Sequence, residues 1–356
     1  MRRTLGLLLL VVLVASAVAA FAGRLLWGRI QEPYKGYSAD EQFVDVPPGS
    51  SAPEIGRRLI DAGIVRDTVA FRTALWWTGQ ARSLKAGEYR FDRPLSAVDA
   101  VGVVARGDTY GRPITFPEGL TIGEMGRVYE ARGFGPARDF VKAAENAALI
   151  GDLDPGARDL EGYLFPETYA LPRGSQPATL VAMMVDRFRA AYADSLRPPT
   201  EEQELTTRQI VTLASLVEKE TAKAEERPLV AAVYRNRLKI GMPMQADPTV
   251  VYALLKAGRY DGNIRRDDLQ IDSPYNTYRY AGLPPGPIAS PGRAALEASF
   301  APADTRNLYF VSRNDGSHVF AETLTEHNAN VRKFQVEFFR QQRQAARARG
   351  AARRSV

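Results

Sequence analysis

The stretch most able to do chemistry is Arg208–Lys223, RQIVTLASLVEKETAK. On a helix, Ile210, Leu213, Leu216 and Val217 gather into one apolar stripe. Glu220 lies seven residues after Leu213, four after Leu216 and three after Val217, so it points along the middle of that stripe. A carboxyl on an apolar face is costly unless it is paired, protonated or used. Desolvation raises its pKa, which suits a general acid working near neutral pH. Pairing with an arginine, or capping a neighbouring loop, accounts for the same position equally well. Glu218 falls on the far side of the helix with Lys219 and Glu225 and reads as a solvated charge.

Other segments are dense in side chains that could hold a polyhydroxylated ligand. EGYLFPETY, from Glu161 to Tyr169, interleaves carboxylates with aromatics and offers Glu161 and Tyr163. QADPTVVY places Gln245 ahead of a helix that carries Tyr252, with Asp247 reading first as its N-cap. SPYNTY supplies Asn276 and Tyr278 and leads into the stiff GLPPGPI loop, Gly282–Ile288. Each is equally compatible with a loop that simply crosses the surface. With two histidines (His318 and His327) and no cysteine, neither a His-rich metal site nor thiolate chemistry is expected.

These residues need a scaffold and a compartment. Leu5–Gly23 is an uncharged run close to the length that spans a bilayer, preceded by Arg2 and Arg3. Ala17-Val18-Ala19 also offers a signal-peptide cleavage site. The continuation of the run into Leu25-Leu26-Trp27 favours an uncleaved anchor, and both readings put the body outside the cytoplasm. The predicted organisation is an N-terminus and transmembrane anchor (1–30), a linker (31–41), a small α+β subdomain (42–108), a mainly helical domain with short strands (109–340) and a basic tail (341–356). In the subdomain, strands at Phe43–Val46 and Lys85–Phe91 flank helices near Ile55–Ile60 and Ala70–Trp77, with another at Ser96–Val104. In the larger domain, helices are expected near 122–132, 137–147, 177–195, 206–224, 226–239, 248–256, 291–299 and 324–347. A hairpin turns at Asn314-Asp315-Gly316.

The formal net charge of +6 suits an anionic partner such as cell wall or lipid. Much of it lies at the chain ends, and no base-reading motif supports nucleic acid.

Several motifs, in order, carry a resemblance: LEGYLFPETY (160–169), ASLVEKET (214–221), VYRNRL (233–238), MPMQADPTVVY (242–252), SPYNTY (273–278), GLPPGPIASPG (282–292), LYFVS (308–312) and HVF…EHN (318–328). Together they resemble the MltG/YceG-like family of endolytic murein transglycosylases. The resemblance implies an α+β chain with an anchor in the bacterial inner membrane, a LysM-like module over 42–108 and a lysozyme-like catalytic domain outside the cytoplasm. It implies cleavage of the β-1,4 bond between N-acetylmuramic acid and N-acetylglucosamine in nascent strands, leaving 1,6-anhydro ends. The second glutamate of EKET, here Glu220, is implied as the catalytic residue. Glu161, Tyr163, Gln245, Tyr252, Asn276 and Tyr278 are implied to line the substrate cleft. No cofactor is implied; peptidoglycan synthases are implied partners, with membrane contact through residues 5–27. A hydrolytic muramidase would need a second carboxylate, from Glu161, Glu167 or Asp247, and a wall-binding scaffold would need none.

Overall fold

A computed structural model describes residues 2–195 and 205–344. The chain is helix-rich α+β and divides into two units. One runs to Pro113 and takes in Ala170–Ser175; the other comprises Ile114–Tyr169 and the chain from Gln176 onward.

The first unit begins with helix α1 (Arg2–Gln31). By length and composition, Val12–Gln31 is able to cross a membrane. Leu13, Val18, Phe21 and Leu25 on it are exposed. Strand β1 (Gln42–Val46), helices α2 (Ala52–Asp61) and α3 (Thr68–Thr78), strand β2 (Gly87–Phe91) and helix α4 (Ala97–Arg106) follow. β1 and β2 pair antiparallel, with Val44 opposite Tyr89 and Asp45 opposite Glu88. Alternation puts Val44, Val46, Tyr89 and Phe91 inward, while Asp45 and Arg90 face water. They share a core with Ile55 and Leu59 of α2, Phe71 and Ala74 of α3, and Val101 and Val104 of α4. Truncating Leu59 to Ala in such a core costs about 2–5 kcal/mol.

Two expected boundaries move. Residues 31–41 are no free linker: Tyr34 pairs with Leu95, and Tyr37 Oη donates to Phe91 O at 3.0 Å. Gly36 N donates to Gly63 O at 2.8 Å. That approach requires glycine, because Gly63 has φ +71° and a Cβ on it would lie 2.7 Å from the Gly36 carbonyl carbon. Ile30, the penultimate residue of α1, is itself part of the core. Nor does the unit end at residue 108. Tyr110 N donates to Glu88 O, the Tyr110 ring packs edge-on against Phe43, and Arg173 hydrogen-bonds the Glu88 carboxylate at 2.9 Å.

Strands β3 (Arg112–Thr115) and β4 (Thr168–Leu171) form a two-stranded sheet, and the division between the units falls within them. Between them come α5 (Ile122–Ala131), opened by a Thr121/Glu124 capping box, and α6 (Ala137–Ala143). Then follow α7 (Pro177–Ser195), α8 (Thr207–Glu220), α9 (Arg227–Lys239), α10 (Asp247–Lys256) and α11 (Arg293–Phe300). The hairpin of β5 (Tyr309–Ser312) and β6 (His318–Ala321) turns through Asn314 and Gly316, both at positive φ. Helix α12 (Leu324–Val331) runs on through a π-helical turn and stays helical to residue 344. Of the expected tail, residues 345–356 lie outside the described residues.

α8 packs against α9, α10 and α11. It stops at Glu220 rather than near residue 224. Thr221 is extended, its hydroxyl donating to Glu226 Oε2 at 3.2 Å and accepting from Lys223 N at 3.1 Å. Such local side-chain bonds compete with helix continuation. The result places Glu220 on a helix end.

Candidate active site

Glu220 projects from the last turn of α8, half-buried, towards α9. Tyr234 of α9 is buried, and its hydroxyl donates to Glu220 Oε1 at 2.8 Å. Among the described residues Oε2 has no hydrogen-bond partner. Burial pushes the Glu220 carboxyl up to about 7; the Tyr234 hydrogen bond opposes this, Asp247 adds to it, and His318 and Arg237 oppose it by charge. A carboxyl so poised can both give and take a proton near neutral pH.

Arg237, one turn beyond Tyr234, is buried and binds carbonyls: Nε to Leu308 O and Nη1 to Met244 O, both at 2.6 Å. It thereby ties β5 to the segment that enters α10. Burial lowers its own pKa. Next in that segment is exposed Gln245, at φ +50°, a left-handed conformation uncommon outside glycine. Gln245 N donates to Thr277 O at 3.3 Å and Ala246 N to Thr277 Oγ1 at 3.1 Å. Tyr278, beside Thr277, donates from its hydroxyl to Asp247 Oδ1 at 2.6 Å. Asp247 is therefore no side-chain cap of α10; Ala246 holds the cap position. His318 on β6 completes the cluster, with Nδ1 2.7 Å from Glu226 Oε2 and its backbone N donating to Glu226 Oε1 at 2.8 Å. Burial alone would raise Glu226, but the bonds from His318 and Thr221 hold it below its ordinary value.

Gln245 and Tyr278, with Asp247, thus belong to the loops around Glu220. The other expected cleft residues are engaged elsewhere. Asn276 is fully buried and donates to Leu269 O at 3.0 Å and Ile271 O at 2.9 Å while accepting from Tyr278 N at 3.0 Å, so its amide is consumed in shaping the loop. Tyr163 is buried edge-on against Phe188, its hydroxyl 2.5 Å from Asp154, which Arg208 also binds at 2.9 Å. Glu161 and Tyr252 find each other: the hydroxyl donates to Oε2 at 3.1 Å, and Ile122 N at the start of α5 donates to Oε1 at 3.1 Å. They line a cavity of about 270 Å³ with Asp159 and Lys256, and Glu220 is not among its walls. Burial pushes Glu161 up to about 8.

Glu218 is no solvated charge. Its side chain is 7% exposed, accepting from Arg227 Nη2 at 3.0 Å and from Gly292 N at 3.0 Å. The geometric reason is that α8 is covered on more than one side, with α11 and α9 both packing on it. Glu218 fixes Gly292, the N-cap residue of α11, and Ser215 Oγ fixes the proline-rich loop by accepting from Ile288 N at 3.1 Å.

Tyr234, Arg237 and His318 were not among the expected site residues. The signal for Arg237 was present: it lies seven residues after Val230 and three after Tyr234, on an apolar stripe like the one that singled out Glu220.

The model of the YceG-like family matches residues 44–333. A Bacillus subtilis protein named endolytic murein transglycosylase is 31% identical over 330 residues, covering 88% of this chain and 90% of the relative. A Streptococcus pneumoniae D39 protein of the same name is 33% identical over 321 residues, and the match covers 81% of this chain but 57% of that longer relative. A crystal structure of a yceG-like protein from Listeria monocytogenes is similar at a TM-score of 0.54 and 30% identity, covering 82% of this chain and 99% of the other.

Proposed function

The chain belongs to the YceG-like family and is a lytic transglycosylase of peptidoglycan, and from that premise we propose that Glu220 alone carries both proton transfers. The observation behind this reading is a carboxyl poised near pH 7 with one oxygen held by Tyr234 and the other open. As the acid, Glu220 protonates the glycosidic oxygen between N-acetylmuramic acid and N-acetylglucosamine, and the C1–O bond breaks. As the carboxylate, it takes the proton from the muramoyl C6 hydroxyl while that oxygen bonds to C1. The products are a free 4-hydroxyl and a 1,6-anhydro end, with no water consumed and Glu220 reprotonated. Ordinary glycosidases need a second carboxylate to activate water or attack C1. Here the internal hydroxyl replaces it. Tyr234 stabilises the carboxylate half of the cycle, and Arg237 adds positive charge while shaping the loop that presents Gln245. Gln245 and Tyr278 are the proposed sugar contacts; Glu161, Tyr163, Tyr252 and Asn276 support the walls.

A hydrolytic reading has one supporting observation, the charge of Asp247 felt at Glu220. Asp247 then becomes the base for water; Glu161 is held by its own partners, and Glu167 is paired with Arg187. Mass spectrometry of the products from purified glycan strands separates the two. Ends lighter than the reducing sugar by one water, absent with Glu220→Gln, support the proposal; full-mass reducing ends overturn it.

The remaining features fit an enzyme that works at a membrane. α1 is the proposed anchor in the cytoplasmic membrane, with the chain that follows it outside. The strand–helix–helix–strand order of the first unit is that of the proposed LysM-like module. Membrane-bound synthases, as the source of nascent strands, are the proposed partners.

A further inference from the structure

The sequence holds three tryptophans, Trp27, Trp76 and Trp77, and the fold gathers them in one place. Trp27 lies on α1, four residues beyond the uncharged run that ends at Gly23, or about 6 Å along the helix. Its ring meets that of Trp77, near the end of α3, edge to face at 4.6 Å. Trp76 is 79% exposed, Trp77 55% and Trp27 43%. α3 turns Ala70, Phe71 and Ala74 to the core and presents Val69, Arg72 and Trp76 on the opposite side, at the i, i+3, i+7 spacing of one outward line. Exposed tryptophans gathered in one place, rather than scattered singly, mark an interaction surface.

The attachment of α3 to α1 is built rather than incidental. Arg29 of α1 pairs with Asp67, which also caps α3 by accepting from Ala70 N at 2.9 Å. Arg66 pairs with Glu32 at 3.0 Å, and Ile30 is buried in the core that α3 covers. The depth of α3 along α1 is therefore fixed by two ion pairs, a cap and a packed side chain.

We infer that α3 is a second membrane contact: Trp76, Trp77 and Val69 enter the headgroup layer of the bilayer that α1 crosses, holding the first unit down on its surface. The inference rests on the anchor reading of α1. Tryptophan favours the level between acyl chains and water, where its ring is buried and its N–H stays hydrated. Trp27 lies at that level by its place on α1, and the ring contact brings Trp77 to the same level. Arg24 on α1, with exposed Arg72 and Arg82, supplies positive charge for anionic headgroups there. The occupant is thus a lipid surface rather than a protein groove.

Because the tryptophans all lie in this patch, their fluorescence reads it alone. Full-length protein goes into nanodiscs of phosphatidylcholine and phosphatidylglycerol whose upper acyl chains are brominated, a contact quencher. Trp27→Phe/Trp77→Phe leaves Trp76 as the probe; Trp76→Phe/Trp77→Phe leaves Trp27. Both probes losing most of their emission to brominated lipid, while shielded from iodide, is the expected result. Trp27 quenched by lipid but Trp76 quenched by iodide alone would overturn the second contact and leave the anchor intact. Trp27 untouched by lipid would overturn the anchor reading, and this inference with it.

Discussion

Two glutamates in the larger unit share most of what is used to recognise a catalytic acid. Glu220 and Glu161 are both desolvated, both raised well above the ordinary carboxyl range, to about 7 and about 8, and both accept from a tyrosine hydroxyl. The higher of the two is the one assigned no chemistry. What separates them is the fate of the second oxygen. Glu161 spends Oε1 on Ile122 N and Oε2 on Tyr252, inside a wall that leaves it buried. Glu220 spends one oxygen on Tyr234 and stands at a helix end beside the exposed Gln245 and Asp247. A perturbed pKa marks a desolvated carboxyl; what distinguishes the one proposed to act is an oxygen without a hydrogen-bond partner among the described residues.

The strongest way to break this contrast is to neutralise each glutamate with its amide. Glu220→Gln is expected to keep its fold and lose about 10²–10⁴-fold in strand cleavage, the usual worth of an acid–base group. Glu161→Gln is expected to keep most of its activity, because the amide oxygen still accepts from Ile122 N and the amide nitrogen can donate to the Tyr252 hydroxyl, which turns to accept. Cleavage rates on purified strands decide it. A dead Glu161→Gln protein with an intact melting transition would dissolve the distinction.

A third glutamate sharpens it. Glu218 spends both oxygens, as Glu161 does, but on a charged partner, Arg227, and on Gly292 N. Removing its charge leaves the nearly buried Arg227 guanidinium with only the longer contact to Glu118, at 3.6 Å, as counter-ion, so Glu218→Gln is expected to cost about 1–3 kcal/mol of stability. Its loss should appear in the thermal midpoint, with cleavage retained well below that temperature. Loss of cleavage without loss of stability would give Glu218 a part in the reaction.

The tyrosines extend the comparison to pH. In the proposed cycle the first step uses protonated Glu220, so activity should fall as pH rises through about 7. Tyr234 stabilises the carboxylate form; Tyr234→Phe should therefore lift Glu220 further and move that basic limb to higher pH. Tyr252→Phe should leave the limb where it is. Profiles of kcat/KM against pH for the three proteins make the check, and an unmoved limb in Tyr234→Phe would remove Tyr234 from the site.

Much of this was legible in the sequence, for identifiable reasons. Helical periodicity singled out Glu220 because three apolar neighbours fix its face, and the Asn-Asp-Gly turn fixed the β5–β6 hairpin. The same periodicity misjudged Glu218, since it assumes a helix covered on one side and α8 is covered on several. Asn276 and Tyr163 were grouped with the cleft by composition, but whether an amide or hydroxyl faces a ligand or a backbone carbonyl depends on tertiary neighbours. The linker at 31–41 looked polar and broken by Pro and Gly; its backbone partners, Leu95 and Gly63, are far along the chain and leave no local mark. Ile30 in the core has a practical consequence, because a truncation at residue 31 removes part of the first unit's packing as well as the apolar run of α1.

The last test concerns the glutamate without assigned chemistry. In the unfolded chain Glu161 titrates at its ordinary 4.5, while in the folded protein it holds its proton up to about 8. Between those values the folded state binds one proton more than the unfolded state, so rising pH favours unfolding. The contribution is fully present below the ordinary value, drains away as pH climbs through about 8, and is constant beyond. Glu161→Gln carries no titrating proton and escapes the drain. Thermal midpoints of the two proteins should lie close together at about pH 5 and separate in favour of Glu161→Gln towards about pH 9. Glu220 drains stability in the same direction but is common to both proteins, so their difference isolates Glu161. A difference that stays flat across this range would mean that Glu161 is ionised where it lies, with Lys256 across the cavity as its counter-charge, and the contrast between the two glutamates would then rest on geometry alone.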